Sequence, residues 1–177
     1  MSEPVVPTPL FANVADRSLT ALLNLLDALA ADVRTIDSYQ KNDPTGQPLR
    51  RAFVRSCWGY FEGSTHSLAR FVETIEVLTD SKHDKRPKEK ERTLDEFKIT
   101  LKWCTSDRLT RGWSPDFGGP GWKAVRNSYK VRTRLMHPKT AESFDVSDND
   151  LKLATDALAW FIQTIGEVLV RAQRAAQ

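Results

Sequence analysis

An all-α fold is predicted by three features of this chain. Apolar residues recur at helical spacing in five segments, strict apolar and polar alternation is nearly absent, and Pro, Gly and Asp gather between the periodic segments. The expected architecture is an up-and-down bundle of about five helices, formed by residues 16 to 177 as one domain behind a flexible segment of residues 1 to 15. A chain of 177 residues with 40% hydrophobic content can bury one good core.

Each helix has its own signal. Leu19, Leu22, Leu23, Leu26, Ala30 and Val33 set the first, from about Asp16 to Tyr39, and Asp43-Pro-Thr-Gly-Gln-Pro48 stops it. Phe53, Cys57, Tyr60, Phe61, Leu68, Phe71, Val72, Ile75 and Leu78 set a longer second helix beginning near Leu49. Leu94, Phe97, Leu101 and Cys104 mark the third. The connection from Arg108 to Gly121 holds Trp113, Phe117 and several Gly and Pro residues, so it should be irregular, with its aromatics either packed on the bundle or free to stack on bases. A fourth helix should end near Met136, because Pro138 disfavours helical geometry at His137. In the fifth, Leu151, Ala154, Leu158, Phe161, Ile162, Ile165, Val168 and Leu169 repeat at helical spacing behind a plausible cap formed by Ser147 and Asp150.

Composition narrows the function classes. The start, Met1 to Val14, has three prolines and no basic lead into an apolar run, so no secretory signal is read there. No uncharged stretch is long enough to cross a bilayer, and a cytoplasmic protein without a membrane partner is expected. Cys57 and Cys104 read as buried free thiols, and two cysteines with three scattered histidines do not make a metal site. Gly-Gly-Pro-Gly121 lacks the flanking pattern of a phosphate-cradling loop, and no cofactor is expected.

Net charge is only +3, but it is unevenly placed. Residues 82 to 139 carry 16 Lys and Arg against 7 Asp and Glu, an excess of 9. Lys85, Arg86, Lys88, Lys90, Arg126 and Lys130 are therefore candidate contacts for a polyanion such as RNA, the bland alternative being a solvated charge run.

Within the fourth helix, at about 100° per residue, Trp122, Val125, Tyr129, Arg132 and Met136 fall on one side, with Val131 and Leu135 extending the apolar arc. Arg132 sits inside that arc and needs a partner. Arg134 and Arg126 point toward the polar side. On the second helix Trp58, Glu62 and His66 share a stripe, and Glu62 either neutralises Arg132 or Arg134 between packed helices or orients one of them for chemistry. His66 reads as a partly buried packing residue and His83 as a surface one.

Arg132, four intervening residues and His137 resemble the motif of the HEPN superfamily, small helical domains many of which are metal-independent ribonucleases. Arg51-Ala-Phe-Val-Arg-Ser-Cys-Trp-Gly-Tyr-Phe-Glu62 looks like the family's earlier core helix with its embedded acidic residue, and the helix after Phe144 fits its last. Thr133 stands where the family commonly has Asn, Asp or His. The resemblance implies an endoribonuclease, a toxin or defence effector, in which His137 acts as general base or acid and Arg132 stabilises the phosphate, with Thr133, Glu62 and Arg134 in support. It also implies a homodimer in which two motifs face one cleft, and an antitoxin or defence-system partner protein. Some relatives are silenced through a tyrosine two residues after the histidine; Lys139 stands there in this chain. The other reading is a non-catalytic scaffold that binds RNA or protein.

Overall fold

The computed structural model describes residues 9–79, 93–104 and 113–175. These form five α-helices and one 3-10 turn, with no strand among the described residues: α1 (Pro9–Asn42), α2 (Gln47–Thr79), α3 (Thr93–Cys104), α4 (Pro120–Met136), the 3-10 turn (Ala141–Phe144) and α5 (Asp148–Ala175). The all-α helical bundle is as expected.

The first helix starts earlier than its apolar spacing suggested. Residues 9 to 15 are helical, so the flexible segment placed over residues 1 to 15 is corrected there; residues 1–8 lie outside the described ones. Pro9 suits the first turn, where its missing N–H would have had no intrahelical acceptor. At the other end Asp43 N–H still bonds to Tyr39 O at 3.1 Å, and Gly46 N–H closes on Asp43 O at 3.2 Å. That tight turn folds α2 back along α1, with which it packs most extensively.

The second helix is the hub, contacting α1, α3, α4 and α5. It buries Phe53, Val54, Cys57, Trp58, Tyr60, Phe61, Leu68 and Val72. Phe61 of α2, Phe97 of α3 and Phe161 of α5 converge, with ring centroids 4.2 Å apart for Phe61 and Phe161 and 4.7 Å for Phe97 and Phe161. A fully buried side chain of this size contributes roughly 1.5–3 kcal/mol by leaving water, so this triad holds three helices together. Cys57 is buried as expected; the Cys104 side chain lies outside the described residues.

The last helix begins where the sequence placed it. Ser147 Oγ accepts from Asp150 N–H at 3.1 Å, while Asp150 Oδ2 accepts from Ser147 N–H at 2.9 Å, a reciprocal cap that satisfies two donors at once. By length and composition α5 is apolar enough to cross a bilayer. Its Ala154, Ala157, Phe161, Ile165 and Val168 face the bundle and are buried there.

Candidate functional site

The fourth helix is entered through a compact turn. Asp116 Oδ1 accepts the Gly118 N–H at 2.8 Å, Gly119 is extended at φ −77° and ψ 175°, and Pro120 opens the helix. Gly121 then lies against the Trp160 indole so closely that a methyl group there would overlap ring carbons Cγ and Cδ1. The connecting aromatics are packed: Phe117 lies edge-on to Trp122 at 5.1 Å, and Trp113 lies against the core with Arg171 5.1 Å above its ring. Of the two expectations for this loop, anchoring is the one the described part supports.

The buried stripe of α4 is Ala124, Val125, Ser128, Val131 and Leu135, with Trp122 at its start. Its centre is displaced from the arc drawn from large side chains. Met136 is 49% exposed and Tyr129 half-buried, because small residues carry the close approach that hydrophobic bulk was expected to mark. Ser128 meets α2 directly, its Oγ accepting from the buried Trp58 Nε1–H at 3.0 Å.

Arg132 therefore stands at the edge of the packed face, and its partner is in the same chain. Its Nη2 donates to Glu62 Oε1 at 2.6 Å, with the guanidinium carbon 6.0 Å from the Tyr129 ring centroid. The side chains remain 23% and 40% exposed respectively, so the pair is accessible to a ligand. The Nε and Nη1 donors of Arg132 make no hydrogen bond among the described residues. His66, two positions round the same stripe from Trp58, is exposed rather than packed, since the stripe runs outward from the buried indole along α2.

Arg134 does not project into solvent as its helical angle suggested. Nη1 donates to Asp145 O at 2.6 Å and Ser143 O at 3.2 Å, and Nη2 to Asp150 Oδ2 at 2.9 Å. The chain after His137 turns back through the 3-10 turn and lays its carbonyls over this guanidinium. From the opposite side Arg50 donates to Val146 O at 2.9 Å and Asp148 Oδ1 at 2.6 Å, and the Gln47 amide exchanges two hydrogen bonds with the Val146 backbone. Together they line an open groove of about 870 Å³ whose polar groups are largely engaged in holding this loop.

At the helix end the His137 N–H bonds to Thr133 O at 3.0 Å, and the residue leaves helical geometry at φ −131° and ψ 61° just before Pro138. The side chain is exposed, as is Thr133. On an ideal helix Arg132 and His137 differ by about 140° and about 7.5 Å of rise, so one copy of the chain places them on different sides of α4. Arg126 and Lys130 are exposed on the His137 side, where Lys123, which sequence reasoning passed over, joins them. Lys85, Arg86, Lys88, Lys90 and His83 lie outside the described residues. No group of acidic, His and Cys residues suited to a metal ion occurs among the described residues.

No family model, curated protein or solved structure matches this chain.

Proposed function

We propose that this chain is a HEPN-like endoribonuclease, working as a homodimer and without a metal ion, of the toxin or defence-effector kind. The carrying observation is the end of α4. Arg132 is held by Glu62 while keeping donors open, and His137 is exposed where Pro138 ends the helix. Holding one guanidinium nitrogen reduces the rotamer freedom that a phosphate would otherwise have to freeze.

RNA carries its own nucleophile. His137 takes the proton of a 2′-hydroxyl, the alkoxide attacks the adjacent phosphate, and the departing 5′-oxygen leaves a 2′,3′-cyclic phosphate. Arg132 binds the phosphoryl oxygens, whose charge grows as the transition state is approached. One imidazole serves as base or as acid, and within one chain it lies some 140° around α4 from the arginine. Two copies facing one another supply both groups to a shared cleft. The wider reading, with a partner antitoxin in the cytoplasm, rests on the resemblance alone.

The test is incubation of purified protein with RNA in the presence of EDTA. Cleavage should persist, end in cyclic phosphates, fail on a 2′-deoxy scissile nucleotide, and fall by about 10²–10⁴-fold in His137→Ala. The Arg132–Glu62 contact specifically favours a second reading, a non-catalytic scaffold in which the pair joins two helices. That reading wins if Arg132→Ala unfolds the protein while His137→Ala has no effect.

A further inference from the structure

The five cations of α4 are sorted by the fold. The helix has no acidic residue. Arg132 and Arg134 are engaged by Glu62 and Asp150, whereas Lys123, Arg126 and Lys130 are exposed and form no ion pair among the described residues. Among the described residues Lys130 makes one hydrogen bond, to the neutral Asn127 Oδ1 at 3.4 Å. Lys123, Arg126, Lys130, Thr133 and His137 follow one another at intervals of three and four residues. At about 100° per residue they lie within an arc of about 80°, and all five are exposed.

From this we infer that the exposed row of α4 is a docking track for a single nucleic-acid strand, running from Lys123 to His137. The inference rests on the ribonuclease reading for the identity of its ligand. The row is about 21 Å long at 1.5 Å per residue, long enough to meet several consecutive phosphates of one strand. Unpaired cations spaced by one helical turn along a straight ridge suit a strand of phosphates, which presents charge at regular intervals. The row itself carries no apolar side chain, and the one large apolar side chain of α4 that is exposed, Met136, stands beside it rather than in it. Phosphate contacts do not read sequence. The track therefore positions the strand, and His137 at its end meets whichever linkage lies there.

The experiment is binding of fluorescent single-stranded oligonucleotides of four to twelve nucleotides to the full chain, compared with Lys123→Gln, Arg126→Gln and Lys130→Gln combined. Glutamine keeps helix propensity at exposed positions, and an unchanged melting curve verifies the fold. Wild-type affinity should rise with length and level off once the strand spans the row, with DNA and RNA strands held alike. The triple variant should lose about tenfold or more in affinity at low salt, and its log–log salt slope should flatten by about 2, three cations at about 0.7 each. Unchanged affinity and slope in the variant overturn the track even if the wild type cleaves RNA. Preferential binding of the row to anionic lipid vesicles over oligonucleotides also overturns it. A chain that binds strands through the row but leaves RNA intact keeps the track and removes the nuclease reading.

Discussion

The Arg132 guanidinium and the Glu62 carboxylate meet at 2.6 Å and tie α4 to α2. This contact answers the question the sequence raises about an arginine beside an apolar face. It also means that the need for a partner does not by itself call for a second copy of the chain. The pair is partly exposed, which makes it a weak strut and leaves it open to a ligand.

A double-mutant cycle on Arg132→Ala and Glu62→Ala should give a coupling energy of about 1 kcal/mol or less, as for exposed ion pairs. If the pair orients a catalytic arginine, Glu62→Gln should reduce RNA cleavage far more than it lowers the melting temperature. Parallel loss of both would mark a structural pair.

Gly121→Ala should destabilise the protein by about 1–3 kcal/mol, the range for forcing a methyl into packed space. The indole of Trp160 blocks it and is itself packed against Trp122, with centroids 5.6 Å apart. Chemical denaturation measures the loss. A change within 0.5 kcal/mol would mean the two elements can separate cheaply.

Arg134→Ala should destabilise by about 1.5–3 kcal/mol, because three charge-assisted hydrogen bonds to Ser143, Asp145 and Asp150 disappear. Hydrogen exchange should rise first in residues 143–150. Arg126→Ala, on the exposed row, should leave stability within about 0.5 kcal/mol.

Burial pushes the Cys57 thiol up to about 12, aided by the charge of Asp37. In the unfolded chain a thiol ionises near about 8.5. The unfolded state therefore releases the proton first, and stability present below about pH 8.5 is lost as pH rises toward the folded value. Burial raises Tyr60 as well and acts with the same sign, so the measurement is a difference. Denaturation midpoints between pH 8 and 10.5 should fall more steeply for the wild type than for Cys57→Ala.

The helical class, the end of α4 near Met136 and the Ser147–Asp150 cap were legible in the sequence by itself, because spacing, proline geometry and capping chemistry act over a few residues. Tertiary structure alone decided what each side chain meets. Helical angle sets Arg132 inside the apolar arc and Arg134 toward solvent, whereas contacts with residues distant in the same chain put Arg132 at the edge of the packed face on Glu62 and cover Arg134 with the returning loop at Ser143 and Asp145. Ala124 and Ser128 form the packed face and Gly121 admits Trp160, yet small residues carry no hydrophobic signal, so the arc was drawn toward Tyr129 and Met136. Whether a charge is displayed or consumed depends on contacts distant in sequence, which local periodicity does not encode.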